Sequence, residues 1–292
     1  MRRWFLTGLL PFFLFCSCKD DEGVSLPVLN KMTRVSCYVD GNSEPKGSLE
    51  LIYNSAGDID QMKVYEGSEY VRSYHYRVSS STVEVSYTDF SNGLPVHYSP
   101  EAYRSFTLGS GRVGTERIKA FNDRAGSAQE TYIKDVWSYT YSGSLLSGGN
   151  WTYTKPTEEG GYITYPSTKA LTLVYQSGAL NSMLYITTDT EFSYSEIPTP
   201  TNFPLRFVRP IDLDSWDLMD PLNFYYGSRG NKLPAKARVT DIGNESAGVT
   251  EFTFDFRTLN EYVTEMLVTR VCNGVSSVYR YVFEYNYVAS SF

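Results

Sequence analysis

Along most of the chain apolar and polar residues alternate at every second position, a spacing that suits a half-buried strand and not a helix. Val83, Val85 and Tyr87 alternate with Thr82, Glu84, Ser86 and Thr88, and Tyr70, Arg72, Tyr74, Tyr76 and Val78 share one side of the preceding run. Near the C-terminus Val275, Tyr279, Tyr281, Phe283, Tyr285 and Tyr287 fall on one face, against Ser276, Arg280, Glu284 and Asn286. The 25 tyrosines and 16 phenylalanines carry the same message, because aromatic side chains suit a pleated surface. Asn273–Gly274 between two such runs tolerates positive φ at both central positions and predicts a two-residue hairpin.

A weak internal repeat extends the pattern. Leu49–Gly57 continuing to Ile59 and Met62, Leu171–Gly178 continuing to Leu180 and Met183, and a looser copy from Tyr139 through Gly143 to Leu145 each read as strand, turn, strand. A single hairpin cannot hide its apolar face, so neighbouring hairpins must cover it. The expected fold is therefore all-β: one large antiparallel sheet of about a dozen to sixteen strands, strongly curved or barrel-like. One or two short helices are expected, over Ser99–Tyr103, where Pro100 would sit at the first helical position, and over Asp212–Leu222. Pro198, Pro200, Pro204 and Pro210 bar a central strand from residues 197–210, which reads as a long crossing loop or a boundary between two β units.

The first residues read as an address. Arg2 and Arg3 precede an apolar stretch, Trp4 to Phe15, too short to span a bilayer at roughly 20 residues per crossing. Ser17–Cys18 then resembles the lipoprotein processing site of bacteria, which implies removal of residues 1–17 and attachment of fatty acyl chains such as palmitate to Cys18. Lys19, Asp20, Asp21 and Glu22 resemble the Bacteroidetes-type tag that sends lipoproteins to the outer face of the outer membrane. Residues 18–28 are then a tether and 29–292 a single β domain held at the membrane by lipid.

Candidates for chemistry are few. The net charge of −7 and pI near 5.0 argue against capture of nucleic acid. Cys37 and Cys272 lie in phase with apolar neighbours and are either a disulfide or two small buried hydrophobes. His75 is in the polar phase, His97 follows Leu94–Pro95, and neither has a nucleophile or metal-ligand spacing beside it. Gly109–Gly114 spells a dinucleotide fingerprint, but the strand-to-helix context that fingerprint needs is missing. Asp212, Asp214, Asp217 and Asp220 lack the spacing of a calcium loop and suit the start of a short helix. No cofactor or metal is expected. Trp137, Trp151 and Trp216 are candidate stacking platforms, and Arg229 a candidate polar contact, for a glycan, peptide or protein partner. The sequence favours non-catalytic binding, with polysaccharide hydrolysis by a carboxylate pair, or a structural or adhesive role, as the alternatives.

With the lipoprotein signal, the Tyr-rich hairpins and the segment Phe224–Pro234 leading into a strand, the chain resembles a Bacteroidetes lipoprotein family of unknown function described as having a porin-like fold. The resemblance spans roughly residues 29–288 and implies a barrel-like sheet without implying an activity. It need not imply a pore. Counting back by twos from Phe292 gives Ser290, Val288, Asn286 and Glu284, out of phase with Tyr287, Tyr285 and Phe283, so the terminal pattern of membrane barrels is not met.

Overall fold

The computed structural model describes residues 28–122, 130–200, 203–205, 207, 211–216, 219–227, 231–242 and 248–288. The described strands are β1 (Val28–Val39), β2 (Gly47–Tyr53), β3 (Ile59–Glu66), β4 (Glu69–Val78), β5 (Thr82–Ser91), β6 (Leu94–Gly109), β7 (Arg112–Asn122) and β8 (Glu130–Ser142). They continue as β9 (Leu145–Pro156), β10 (Tyr162–Gln176), β11 (Ala179–Tyr185), β12 (Thr188–Pro198), β13 (Lys232–Asp241), β14 (Val249–Leu259), β15 (Tyr262–Cys272) and β16 (Val275–Val288). Each pairs antiparallel with its sequence neighbours, and β1 pairs with β16, so the sheet closes into a barrel. Closure removes the two edge strands that an open sheet would offer to other chains.

The turns follow from their residues. Asn273–Gly274 has φ of 50° and 75° and joins Cys272 to its partner Val275, as the sequence predicts. Asn92–Gly93, Ser110–Gly111 and Ser177–Gly178 repeat this positive-φ pair. The three sequence repeats become the hairpins β2–β3, β8–β9 and β10–β11. Gly109–Gly114 is accordingly a hairpin turn with its flanks.

Because all neighbours are antiparallel, odd strands run one way and even strands the other. Val28 pairs with Val288, so β1 starts and β16 ends at the same end of the barrel, here the base; the opposite end is the rim. Alternation then sorts side chains into two faces. On β14 and β16 the inward Phe252, Phe254, Tyr279, Tyr281 and Phe283 are buried. Between them Glu251, Asp255, Arg257 and Glu284 are exposed and Arg280 is half-buried. Glu265 on β15 pairs across strands with Arg257 at 3.2 Å and Arg280 at 3.6 Å on this outer face.

A sixteen-strand ring is too wide for wall side chains alone to fill. The chain between β12 and β13 fills it. Both of its ends lie at the base, where the Thr199 amide donates to the Asn231 carbonyl at 3.2 Å. Its Phe203, Leu205, Phe207, Leu213, Met219, Leu222 and Tyr226 are buried. Phe203 packs edge-on against Phe256 and Phe283, Phe207 against Phe254, and Tyr226 against Phe106 and Tyr139, reaching opposite parts of the wall. The proline-punctuated stretch is thus the start of an internal plug within one barrel.

Two helix expectations are corrected. Ser99–Tyr103 lies inside strand β6, where the pairing with β5 jumps from Val85↔Arg104 to Tyr87↔Ser99. A bulge there accommodates Pro100, which a continuous ladder would not. Among the described residues of Asp212–Leu222, 212–216 are not helical; Met219 has 3-10 geometry, and a 3-10 turn over Pro221–Tyr225 follows, which Asp220 caps by accepting from the Leu222 amide at 2.8 Å.

Candidate functional site

Space remains between the described residues of the plug and the barrel wall. A cavity of about 620 Å³ lies between the plug and the inner wall of β1 to β6. Small-molecule sites fall in the range of roughly 300–1,000 Å³. Its mouth is near the rim, where Lys46 and Glu66 line it, and its floor is formed by Arg104, Asp220 and Leu222.

The floor is a buried charge network. Arg104 on β6 donates through Nε to Glu116 Oε1 of β7 at 2.6 Å and through Nη1 to Asp220 Oδ2 of the plug at 2.9 Å. The other Glu116 oxygen accepts from the hydroxyls of Tyr139 at 2.6 Å and Tyr226 at 3.0 Å. Glu116 is fully buried, a position tolerated only with such partners. Burial opposes the charge on Arg104, but the adjacent Glu116 and Asp220 carboxylates outweigh it and hold the guanidinium protonated.

Above the floor, facing residues on β4 and β5 build the wall. Arg72 and Asp89 are register partners and form an ion pair. Arg72 also donates to the Tyr74 hydroxyl at 3.2 Å and lies 5.7 Å from the Tyr74 ring centre and 4.9 Å from that of Tyr87. Desolvation works against its charge, and the bonds to Asp89 and Tyr74 more than restore it. Tyr103 packs on both tyrosines, and burial raises its hydroxyl above the ordinary range, so it stays a neutral donor. At the mouth Lys46 of the β1–β2 turn meets Asp214 of the plug, and Trp216 lines the same space.

The residues singled out by sequence fare unequally. Trp216 lines the cavity and contacts Tyr281 edge-on. Trp137 is a buried core residue, stacked on Tyr139, Trp151 and Tyr185. Trp151 sits in the same ladder, with its indole N–H donating to Asp135 Oδ1 at 2.8 Å. Cys37 and Cys272 are free thiols, which corrects the disulfide alternative. Cys37 is level with Tyr281 and, through it, with Met266, while Cys272 is six residues further along β15. At ~3.3 Å per residue that is about 20 Å. Burial pushes the Cys37 thiol up, as expected of a small hydrophobe. His75 is exposed, and His97 lies against the Tyr87 ring at 5.7 Å. The aspartates separate: Asp212 accepts from the Asp214 amide, Asp214 meets Lys46, and Asp220 joins the floor. Cys18, Lys19, Asp20, Asp21, Glu22, Asp217 and Arg229 lie outside the described residues.

Sequence reasoning did not select Arg72, Asp89, Arg104 or Glu116. Their signal is a charge in the apolar phase: Arg72 among Tyr70, Tyr74 and Tyr76, and Arg104 two residues before Phe106.

Comparison with known proteins agrees with this architecture. A porin-like protein from Bacteroides uniformis ATCC 8492 superposes with a TM-score of 0.52 at 15% identity, over 89% of this chain and 99% of the other. A porin-like protein from Bacteroides vulgatus ATCC 8482 gives 0.53 at 16% identity, over 88% and 99%. At such identities the likeness is one of fold. No curated protein matches the chain. The family described as Domain of unknown function (DUF5032) matches residues 18–290, nearly the whole sequence, and the chain belongs to that family.

Proposed function

We propose that this protein is a lipid-anchored outer-membrane lipoprotein, displayed at the cell surface, whose barrel stands in water and binds a ligand in its luminal cavity. The observation that carries the reading is the polarity of the wall. Exposed Glu251 and Asp255 flank the buried Phe252 and Phe254, and exposed Arg257 follows in the same outward phase. On a lipid-facing wall each Arg or Lys near the midplane costs about 2–4 kcal/mol. A belt so charged suits water, and the membrane contact falls to acyl chains on Cys18. Lys19, Asp20, Asp21 and Glu22 would supply the export signal.

The base carries Val28, the first described residue, so an anchor at Cys18 would lie below the barrel with the cavity mouth at the far end. Geometry favours binding over hydrolysis. Glycoside cleavage needs a pair of carboxyl groups free to face the scissile bond, whereas Asp89, Asp214 and Asp220 are each engaged in an ion pair with Arg72, Lys46 or Arg104.

The test is Cys18→Ala in cells of the source type. The expected outcome is loss of palmitate labelling and recovery of folded protein in the soluble fraction without detergent. Protein that remains membrane-bound after this change overturns the reading.

A further inference from the structure

We infer that the luminal cavity is a saccharide subsite for a neutral sugar chain end, recognised by the Arg72–Asp89 pair and stacked on Trp216 and the tyrosines of β4 and β6. The inference rests on the cavity being the binding site, and three observations give the ligand class.

The first is charge balance. Arg72 is paired with Asp89, Lys46 with Asp214, and Arg104 with Asp220. Arg104 also faces Glu116, and Glu66 lies at the exposed rim, so each cation lining the cavity among the described residues already meets a carboxylate and the acids are in excess. A phosphate or carboxylate ligand would have to break one of these pairs and would meet the surplus negative charge, which disfavours an anionic sugar against a neutral one.

The second is hydrogen-bonding capacity. A guanidinium has five donors, of which Arg72 commits Nε to Asp89 and an Nη1 hydrogen to Tyr74. Arg72 and Asp89 both line the cavity, and the bonds to Asp89 and Tyr74 use two of the five guanidinium donors and one of the two carboxylate oxygens. Donors and acceptors side by side suit adjacent hydroxyls, since each hydroxyl both gives and accepts a hydrogen bond.

The third is apolar surface of the right shape. Tyr74, Tyr103 and Trp216 line the same space as the ion pair and contribute aromatic surface to it. A sugar ring has C–H groups on its faces and hydroxyls at its edge, and this wall offers rings for the one and an ion pair for the other. Trp216 comes from the plug and Arg72 and Asp89 from the wall, so a ligand would bridge them. A peptide strand is a poorer occupant, because β3, β4 and β5 are paired along both sides and offer it no backbone ladder.

The full-length mature chain in detergent is titrated calorimetrically with neutral plant and microbial oligosaccharides, with acidic oligosaccharides, with a mixed peptide library and with a fatty-acid amphiphile. The expected result is binding of a neutral oligosaccharide that changes less than twofold between low and high salt. Asp89→Ala and Trp216→Ala should each weaken it at least tenfold, with the circular dichroism spectrum unchanged. Should Asp89→Ala unfold the chain, Asp89→Asn replaces it, retaining size and removing the charge. If an acidic sugar, a peptide or the amphiphile binds instead and the same variants abolish it, the sugar class is overturned and the cavity reading stands. If a neutral sugar binds and both variants leave it unchanged, the cavity reading is overturned. If none of the four classes binds, both fall.

Discussion

Arg104 and Glu116 carry the largest single electrostatic commitment in the described barrel. They sit in the apolar phase of β6 and β7 and are satisfied by one another, by Asp220 and by two tyrosine hydroxyls. Removing Glu116 leaves Asp220 to balance Arg104 but strips the Arg104 Nε–H and two tyrosine hydroxyls of their acceptor, a loss of about 3 kcal/mol or more at roughly 1–3 kcal/mol per unsatisfied buried group. Glu116→Ala should therefore lower unfolding stability by about that amount in urea denaturation. Glu116→Gln should cost less, because the amide oxygen can still accept from Arg104 while its NH2 group donates to a tyrosine hydroxyl that turns to accept. Equal losses for the two variants would mean that packing, and not charge, is what Glu116 supplies. At this scale the sequence is half legible. The inward phase of Tyr279, Tyr281 and Phe283 can be read from alternation alone, and so can the polar phase of His75. The role of Arg72 cannot, since an in-phase charge signals a buried partner without saying that the partner is Asp89, one strand away in a register that only pairing reveals.

Hairpins and plug differ in how they are encoded. A two-residue turn is a local event, so Asn273–Gly274 announces itself, and the same chemistry recurs at Asn92–Gly93 and Ser177–Gly178. The plug is the opposite case. Its prolines and aspartates say what it cannot be, but its burial depends on a lumen that exists only once sixteen strands have closed. The acids from Asp212 onward suit a helix start, but the helix forms later: Asp220 caps and Pro221 opens a 3-10 turn over Pro221–Tyr225. Where the plug leaves the lumen, Gly227 has φ of +84°, and a Cβ there would lie 2.5 Å from the Ser144 carbonyl oxygen in the β8–β9 turn. Gly274 has a similar φ of +75° with nothing within 4 Å. Gly274→Ala therefore meets only the left-handed penalty of about 1–2 kcal/mol, whereas Gly227→Ala must also displace backbone. Thermal melts should show a clearly larger loss for Gly227→Ala. A loss no greater than that of Gly274→Ala would mean that the plug exit moves freely and is not held against the wall.

For the whole molecule, the number of strands and their antiparallel order fix which turns share an end. With an even count and each strand beside its neighbour, Val28 and Val288 meet at the base, and the turns at Asn92–Gly93 and Asn273–Gly274 fall at the rim while Ser110–Gly111 and Ser177–Gly178 fall at the base. Under the proposed anchor at Cys18, the ten residues from there to Val28 could reach at most about 33–36 Å when fully extended, which would keep the base near the bilayer and let the rim and cavity mouth project from it. Epitope insertions separate this geometry from the chemistry of the site. A short tag between Asn92 and Gly93 should be bound by antibody on intact cells with the affinity measured for purified protein. The same tag between Ser110 and Gly111 should bind more weakly on cells than in solution, because the membrane crowds the base. Equal accessibility of the two tags on cells would show that the tether lets the barrel tumble. A rim tag hidden while the base tag is exposed would place the anchor at the other end and turn the cavity toward the membrane, where a sugar chain from the medium could not enter it.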